Sequence, residues 1–551
     1  MTKSVEKCKH EKKCHNVTRY VKAGLCDFGA GTKCSPYNSL QQAQADPSWD
    51  TLIVLASPFV LDGGITLKNG QKLIGEKDPI NNLSGDQPTI TNTSDELNGG
   101  NGVFVKNGNV VIKNIYFKDT WASAINYNNA ANIHVSHVLV TGWNQSQSSA
   151  PIVPFRNPAG DIRTSLELTA LFGQTRHNGT TSLFKVVIRD GYTGGGVFDS
   201  PILGAKRKFH ADNVEISGIR SIIAGAPGLS RSPAAISTFA NAGTHQKIII
   251  ENSSFHDFPP TDVSITVIRG LSLRAADGGK VSALVQNCLF KNIYNTSVGS
   301  ADHILGVALT ELPRQKCEFD AVIKNCFFEE SNPNNPADTV NWQTYNSINN
   351  LRYQHNTAVN VLDTIATFDD GDSRTKYKIT DNNATGLDAF YYVISGTFLD
   401  SPNNMVTHVT IKNNKYVGGQ FTGGLSVISG VDGEPAPWTR LIVDMENNCF
   451  DGQESGFAGI SAFNFAGDQE GAGNATVNAH NNNITGFLHS VYQDSTNVTI
   501  NAQRNFWGPE GPVDVVNIPP GSVDVSNPLQ FPIRCPKFAY CLTPTILNGP
   551  V

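Results

Sequence analysis

The polar and apolar positions between residues 409 and 508 follow one short pattern that occurs four times. The copies read VTIKNNKYVGG, VDMENNCFDG, VNAHNNNITG and INAQRNFWG. In each, alternating apolar and polar residues lead into an asparagine-bearing turn, and a large apolar residue and a glycine follow. The large residues are Tyr416, Phe450, Ile484 and Trp507. A recurring phrase of this kind predicts a repeated supersecondary unit.

The same apolar slot can be followed upstream. The earlier slots are filled by Phe117, Phe255, Phe290, Phe328, Ala358 and Ala384. From Phe255 to Trp507 the slots are 35, 38, 30, 26, 32, 34, 34 and 23 residues apart. A unit of this size can bury its apolar face only by stacking on its neighbours, so the chain is predicted to be a solenoid.

The unit is predicted to consist of β-strands. Segments such as HVTIKNN and KYKIT have the two-residue period of a strand with one face inward. Asparagine readily adopts the left-handed conformation, so the asparagine pair predicts a sharp turn. Strands stacked roughly 4.8 Å apart would also let these amides bond each other as a ladder. We therefore predict an all-β parallel β-helix, with loops of different lengths at its turns.

The pattern divides the chain into three predicted regions. Residues 1–34 form a cysteine-bearing arm, residues 35–512 the β-helix, and residues 513–551 a proline-rich C-terminal cap. Residues 144–180 and 219–244 interrupt the pattern and are expected to be long loop excursions.

A short amphipathic helix is predicted at the start of the coil. Ser35 would be its N-cap and Pro36 its first residue. Tyr37, Leu40 and Ala43 would share one apolar face. Such a helix would cover the open end of the coil and its unpaired strand edges.

Composition narrows the functional classes. The chain has 551 residues, a net charge of −6 and a pI of about 6.1, so it shows no electrostatic footprint for nucleic acid. Its longest apolar stretch, residues 52–61, contains Ser57 and Pro58 and is too short to span a membrane. The first residues are basic, but no apolar run follows them, so no secretory signal peptide is predicted.

Cysteines and glycosylation sequons point to an oxidising environment. We expect short-loop disulfides at the two ends, formed by Cys8, Cys14, Cys26, Cys34, Cys535 and Cys541. Cys8 and Cys14 with His10 or His15 are the alternative, a metal site of unusual spacing. Eleven N-x-S/T sequons mark candidate glycosylation sites, unless an Asn-rich chain forms them by chance: Asn16, Asn82, Asn92, Asn144, Asn178, Asn252, Asn295, Asn383, Asn474, Asn483 and Asn497.

The segments DTLIVL and ITLKNGQKLIG, followed by asparagine-marked rungs and NFWGPEGP, resemble the pectin-lyase-like superfamily of right-handed parallel β-helices. The resemblance covers roughly residues 35–512 and is specific for the fold rather than for an activity. That superfamily includes pectate lyases, polygalacturonases, pectin esterases, epimerases, phage tailspikes, adhesins and viral structural proteins. A weaker resemblance of style is to virion or surface proteins of large DNA viruses.

The resemblance implies that catalysis would use outward-facing side chains of stacked strands. In FDDGDSRTKYKIT, such a set would combine Arg374, Lys376 and Lys378 as catalytic cations with Asp370 and Asp372 as ligands of a calcium ion. Repeat alignment places Arg352 and Thr410 beside Lys378, and His408 beside Lys376. The alternative interpretation is a solvated strand face of mutually paired charges.

No complete catalytic signature of the superfamily is present. No Gly-His-Gly follows the Asp369–Asp370 pair, and YQDST lacks the partner motifs of a pectin esterase. Trp143, Trp342 and Trp438, expected in loops, are candidates for stacking on sugar rings, or else anchor their loops to the coil.

Two functions follow. The first is a rigid extracellular or virion β-helix protein that binds glycans or other surface proteins, with homo-oligomers such as tailspike trimers as one option. The second is a polysaccharide lyase or glycoside hydrolase, for which calcium is the one cofactor expected.

Overall fold

A computed structural model provides the three-dimensional structure. It describes residues 16–25, 29–82, 84–128, 130–143, 145, 155–156, 162–163, 169–191, 195–219, 234–241, 243–258, 269–293, 301–309, 316–331, 336–395, 404–421, 423–429, 440–463, 474–494, 498–518 and 522–538. These residues are almost entirely β-strand. One α-helix, α1 (Leu40–Ala45), and one 3-10 turn (Asn98–Gly100) complete the regular structure of the described residues.

The first third of the chain contains fourteen of the described strands. In chain order they are β1 (Thr18–Val21), β2 (Thr51–Val54), β3 (Ile65–Leu67), β4 (Lys72–Gly75), β5 (Thr89–Ile90), β6 (Val103–Val105), β7 (Gly108–Lys113), β8 (Tyr116–Lys118), β9 (Ile125–Asn126), β10 (Ala130–Thr141), β11 (Phe155–Arg156), β12 (Ile162–Arg163), β13 (Leu171–Thr175) and β14 (Gly179–Arg189).

The middle third continues with β15 (Gly195–Pro201), β16 (Lys206–Ser217), β17 (Ala234–Ala240), β18 (His245–Glu251), β19 (Ser254–His256), β20 (Arg269–Ala276), β21 (Lys280–Gln286), β22 (Leu289–Lys291), β23 (Asp302–Leu309), β24 (Cys317–Lys324), β25 (Phe327–Glu329), β26 (Asp338–Tyr345), β27 (Ser347–Gln354) and β28 (Thr357–Val361).

The last third holds β29 (Ile365–Asp370), β30 (Arg374–Thr380), β31 (Asn383–Gly386), β32 (Ala389–Ser395), β33 (Val406–Lys412), β34 (Lys415–Gly418), β35 (Gly423–Ser429), β36 (Arg440–Glu446), β37 (Cys449–Phe463), β38 (Asn474–His480), β39 (Asn483–Gln493), β40 (Val498–Asn501), β41 (Val516–Asn517) and β42 (Val523–Asp524).

The strands stack in parallel into three faces that run the length of the coil. Sheet I follows the order β1-β2-β4-β7-β10-β14-β16-β18-β21-β24-β27-β30-β33-β36-β38-β40-β42. Sheet II follows β5-β8-β10-β14-β16-β19-β22-β25-β28-β31-β34-β37-β39. Sheet III follows β3-β6-β9-β13-β15-β17-β20-β23-β26-β29-β32-β35-β37-β39-β41. The long strands β10, β14 and β16 continue from sheet I into sheet II.

The apolar slot of the repeat forms one buried column. Phe255, Phe290, Phe328, Ala358, Ala384, Tyr416, Phe450 and Ile484 are successive register partners along sheet II. All are at most 2% exposed, and the rings of Phe290 and Phe328 stack 5.0 Å apart. The predicted parallel β-helix is confirmed.

The predicted amide ladder is also present. An asparagine lies two positions before each slot residue from Ala358 to Trp507 and points inward at the turn between sheets I and II. The series is Asn356, Asn382, Asn414, Asn448, Asn482 and Asn505. In each of the first five, the backbone N–H and the side-chain N–H both donate to the side-chain oxygen Oδ1 of the next asparagine, at 2.9–3.3 Å. The preceding residues, such as Asn413 and Asn447, have φ near +58°. The two asparagines of each pair therefore have different roles. The first adopts the left-handed conformation that turns the chain, and the second forms hydrogen bonds with the next coil.

The ends of the coil differ from the prediction. Helix α1 begins at Leu40, and its N-cap is Ser39, whose hydroxyl accepts the Gln42 N–H, rather than Ser35. Tyr37, Leu40 and Ala43 are buried as expected. The coil begins within the predicted arm, since β1 already pairs with β2, and reaches β42 within the predicted cap. A four-residue strand is too short to reveal its period in the sequence.

The two predicted excursions also contribute to the coil. β13 and the start of β14 lie within residues 144–180, and β17 lies within residues 219–244. β11 and β12 form a separate antiparallel pair.

One disulfide fastens the C-terminal segment to the coil. Cys449, the first residue of β37, bonds to Cys535, 86 residues later. The expected short-loop disulfide of Cys535 with Cys541 is therefore wrong. Cys34 is exposed and forms no disulfide with another described residue. Cys8, Cys14, Cys26 and Cys541 lie outside the described residues.

Candidate functional site

The predicted catalytic set does not lie on one strand. The chain bends at residues 371–373, so Asp370 ends β29 of sheet III while Arg374, Lys376 and Lys378 lie on β30 of sheet I. Asp370 is buried, whereas the three cations are exposed on the outer face of sheet I. The common outward parity predicted for all five residues is therefore wrong.

The predicted register around these cations is confirmed. Arg352 and Thr410 are the neighbours of Lys378 on the two adjacent strands, and His408 is the neighbour of Lys376. Repeat alignment succeeds here because consecutive coils stack without a bulge between β27 and β33.

Calcium binding by Asp370 and Asp372 remains a prediction. The Asp370 carboxylate accepts the Gly371 N–H at 2.6 Å, and that of Asp372 accepts the Asn404 N–H at 3.0 Å. Across the part of the chain that the structure describes, no group of three or more His, Cys, Asp or Glu side chains is arranged to hold a metal ion. The described helices include none long and apolar enough to cross a membrane.

Two of the three candidate tryptophans belong to the core. Trp342 lies in β26, points into the coil over Gly306 of the adjacent strand, and packs 4.6 Å from the Phe319 ring. Trp143 packs against Gly191. Both are fully buried, so the expectation that they stack on sugar rings is wrong. Trp342 lies in a strand rather than in a loop, whereas Trp143 follows β10 outside the strands and anchors that segment to the coil, as in the alternative. Trp438 lies outside the described residues.

The sequon asparagines differ in how exposed their side chains are. Asn92 and Asn483 are buried, and their amide nitrogens donate to backbone carbonyls of Leu97 and Ile533, at 2.7 and 2.9 Å. A glycan on either amide is incompatible with this fold. Asn16, Asn178, Asn252 and Asn474 are exposed, and Asn82 and Asn383 are half-buried. Asn144, Asn295 and Asn497 lie outside the described residues.

The outer face of sheet III carries aromatic side chains that the sequence analysis did not single out. Two outward rows can be followed through β29, β32, β35, β37 and β39. One row runs Tyr392, Ser426, Ser461, Tyr492, and the other runs Phe368, Ile394, Ile428, Phe463. We call these the aromatic rows. Their four aromatic side chains are half-buried, whereas Ser426 and Ser461 between the tyrosines are fully buried.

The aromatic residues form two groups. Phe368 and Tyr392 lie 6.4 Å apart with their rings edge to face. Three strand spacings away, roughly 14 Å, Tyr492 contacts Phe463, Phe457 and His489 at centroid distances of 5.1–5.5 Å. Ser426, Ser461 and the neighbouring Ile428 are at most 1% exposed, so the face between the two groups is covered. Half-exposed aromatic rings beside small polar residues provide an apolar surface with hydrogen-bonding groups at its border.

A row of carboxyl groups follows the edge where the chain enters sheet III. Arg269, Asp302 and Asp338 are register partners at the starts of β20, β23 and β26, and Asp363 lies two residues before β29. We call Asp302, Asp338 and Asp363 the carboxyl row. Arg269 donates from Nε to Asp302 at 3.1 Å, and the Asp338 and Asp363 carboxylates accept backbone N–H groups of Asp363 and Ala389 at 3.3 and 2.8 Å. Consecutive members thus lie about one strand spacing apart, roughly 4.8 Å.

Burial and mutual repulsion perturb these carboxyl groups. Burial raises the pKa of Asp302, and the nearby Arg269 offsets this only in part. Burial, followed by the charge of Asp302, holds the pKa of Asp338 well above its ordinary range. Burial and the charges of Asp338 and Asp388 do the same for Asp363. Stacked carboxyls that cannot all ionise can supply a protonated and an ionised partner at the same pH.

The groups around the carboxyl row are perturbed too. Burial and the charge of Arg269 lower the pKa of Arg274 to about 9. Burial, then Asp363 and Asp388, raise the pKa of Tyr392 to about 12. The charge of Asp363 thus acts on Tyr392, whereas the three carboxyl groups themselves are at most 6% exposed.

Replacing Asp338 with asparagine is expected to stabilise the protein at pH 7. A carboxyl whose pKa is raised on folding stabilises the fold most below its unfolded pKa, near 3.9, and this contribution is lost as pH rises through the folded pKa. The neutral amide of asparagine does not ionise, so we expect the free energy of unfolding at pH 7 to rise by about 1 kcal/mol or more. Urea unfolding at pH 4 and pH 7 measures it.

The exposed Asp86 provides the control, since Asp86→Asn should leave the free energies of unfolding at pH 4 and pH 7 unchanged. Equal stability of wild type and Asp338→Asn at pH 7 would show that this carboxylate is not strained. A substitution that raises the free energy of unfolding but lowers activity is typical of a functional residue.

No protein-family profile matches the chain, and no curated protein matches it. Three solved structures are similar to it over most of their lengths. The A-module of a mannuronan C-5 epimerase from Azotobacter vinelandii has 11% identity and a TM-score of 0.33, covering 85% of this chain and 93% of its own. An exopolygalacturonase from Thermotoga maritima has 13% identity and a TM-score of 0.28, covering 80% and 84%. The surface protein and adhesin PfbA of Streptococcus pneumoniae has 8% identity and a TM-score of 0.27, covering 85% and 92%. At these values, nothing about substrate or activity is carried over.

Proposed function

We propose that the protein is a glycan-binding surface protein that holds an extended glycan along the outer face of sheet III. The aromatic rows carry this proposal. They place two groups of half-exposed rings on one parallel sheet, three strand spacings or roughly 14 Å apart. Apolar faces of sugar rings can pack on such side chains while hydroxyl groups bond to polar residues beside them.

The polar neighbours of the rows suit this role. Gln343 and Asn341 lie outward on β26 beside Phe368, and the Gln343 amide donates to Asn341 at 3.2 Å.

The disulfide supports a location outside the reducing cytoplasm, on a cell or virion surface. A long solenoid without a spherical core is suited to presenting an extended face to a linear ligand.

Binding to an array of immobilised polysaccharides tests the proposal. Tyr392→Ala and Tyr492→Ala should each weaken binding of the retained glycan about tenfold, because each removes a ring on which a sugar packs. Phe59→Ala is the matched control, since Phe59 is an exposed aromatic residue between β2 and β3, at the opposite end of the coil from the aromatic rows. Equal affinity of both tyrosine variants and wild type for every bound glycan would contradict the proposal.

The carboxyl row favours a second candidate function, cleavage of a bound polysaccharide. A carboxylic acid kept protonated by burial can donate to the leaving oxygen, while an ionised neighbour acts as base or nucleophile. Release of new reducing ends or unsaturated products by wild type, and its loss in Asp338→Asn and Asp363→Asn with glycan binding retained, would establish catalysis. Binding without any product would leave the protein a glycan-binding protein.

A further inference from the structure

Four cations lie together on the outer face of sheet I, away from the aromatic rows of sheet III. Arg352 on β27 is the register partner of Lys378 on β30, and Arg374 and Lys376 precede Lys378 at alternate positions of the same strand. All four are exposed. We call them the cation patch.

The four charges of the cation patch are unpaired, unlike those of several other cations on sheet I. On neighbouring rungs Lys280 binds Glu318 at 2.7 Å and Lys412 binds Glu446 at 2.8 Å. His408, beside Lys376, binds Asp444 at 2.7 Å. The four patch residues form no ion pair with any other described residue. A protein with a net charge of −6 thus leaves four adjacent cations uncompensated.

The nearest carboxylates are already engaged. Asp320, two strands before Lys376, accepts the Asn350 amide at 2.6 Å. Asp444 accepts from His408 and from Asn478. Among the residues that the structure describes, neither carboxylate forms an ion pair with the patch.

The spacing of the patch indicates the shape of that anion. Arg374, Lys376 and Lys378 alternate with inward residues, so their side chains leave the sheet roughly 6.6 Å apart along the strand. Tyr377 holds the strand in place, with its hydroxyl donating to Asp369 at 2.7 Å inside the coil. Both neighbouring strands pair with β30, so the backbone positions from which the side chains extend are fixed before any ligand arrives.

We propose that the cation patch binds an extended acidic peptide segment of a partner protein, with carboxylates at alternate positions. Such a segment has the same two-residue repeat as β30, so three successive carboxylates can face Arg374, Lys376 and Lys378 at once. Arg352 adds a fourth contact beside Lys378. Ile348 and Val406, register partners of Arg374, are 41% and 43% exposed and provide apolar contacts at one end.

Other polyanions fit the patch less well. Single-stranded nucleic acid is held by aromatic stacking as well as by charge, and the patch rows carry no Phe, Tyr or Trp side chain. Double-stranded nucleic acid requires more phosphate contacts than four cations supply. The lack of these side chains also distinguishes the patch from the aromatic rows on sheet III.

The test uses the full protein and two labelled heptapeptides of identical composition. One alternates three glutamates with threonines, and the other carries the three glutamates in a row. Fluorescence anisotropy at low ionic strength should show the alternating peptide binding about tenfold tighter, since only it engages three cations together. Binding of that peptide should weaken steeply with added salt.

A variant with Arg352→Gln, Arg374→Gln, Lys376→Gln and Lys378→Gln should lose this preference. The control, Lys280→Gln with Lys412→Gln, removes two paired cations of the same sheet and should retain it. Because all six side chains are at the surface, unchanged thermal unfolding will confirm that the variants are folded.

Equal affinity for the two peptides, retention of the preference by the fourfold variant, or tighter binding of single-stranded DNA or a polyuronate of equal charge would each overturn the proposal. The glycan-array result does not depend on this outcome. The glycan-binding measurement on the tyrosine variants tests only the aromatic rows. The peptide-binding measurement on the fourfold variant tests only the cation patch.

Discussion

Replacing Asn448 with alanine is expected to lower the free energy of unfolding by about 3–5 kcal/mol. Its amide donates to Ile411 and Asn482 at 2.9 Å, and its carbonyl oxygen accepts the backbone and side-chain N–H groups of Asn414 at 2.9 and 3.0 Å. Alanine removes all four hydrogen bonds and leaves their partners buried without water. Chemical denaturation followed by circular dichroism measures the loss.

The matched control is Lys415→Ala in the preceding coil, since Lys415 is exposed and directly follows the ladder residue Asn414. A change within about 0.5 kcal/mol is expected there. Asn448→Asp keeps the shape but replaces the amide donors with a buried carboxyl group, so its loss should be at least as large as that of Asn448→Ala at pH 7. Should Asn448→Ala cost no more than Lys415→Ala, the ladder would not contribute to stability.

Replacing Arg207 with methionine is expected to cost about 3–5 kcal/mol as well, because it leaves a buried carboxylate without its counter-charge. Arg207 and Asp199 are both fully buried inside the coil, with Nε 3.8 Å from the carboxylate. Arg207 also donates to the Thr181 hydroxyl at 2.7 Å and to the Ala131 carbonyl at 3.1 Å. Methionine has a similar length but supplies none of these donors.

Adding Asp199→Asn to the Arg207→Met variant should restore part of the lost stability, since no charge then remains in the core. Arg189→Met is the control. Arg189 lies on β14, binds Glu215 at 2.6 Å and is 44% exposed, so its pair should contribute less than about 1 kcal/mol. Similar losses for Arg189→Met and Arg207→Met would show that burial of the inner pair is unimportant.

The coil and its ladder could be predicted because both obey a local rule. Each rung of sheets I and II begins with a strand of period two, turns at an asparagine and ends on an apolar slot, all within about a dozen residues. Phe290, Phe328 and Tyr416 therefore align by sequence, and the same alignment gave the correct neighbours of Lys378.

The candidate site could not be predicted in the same way. Asp302, Asp338 and Asp363 follow their slot residues Phe290, Phe328 and Ala358 by 12, 10 and 5 residues. Loops of unequal length separate sheet II from sheet III, so residues that become neighbours on sheet III have no constant offset in the sequence.

Side-chain direction was the other source of error. Asp370 seemed to share a face with Lys376 because both have even numbers, but the bend at residues 371–373 moves the chain from one sheet to another. Trp342 looked like a loop residue because its strand carries few aliphatic residues. Its position became clear only with Gly306 beneath it, on a strand 36 residues earlier.

The bond between Cys449 and Cys535 spans three full coils and the C-terminal segment. A protease that cuts the backbone once anywhere between these residues would leave two pieces that stay joined until a reductant is added. The covalent closure would then let this end of the molecule tolerate nicking that would otherwise release a fragment, a useful property for a protein exposed to degradative surroundings.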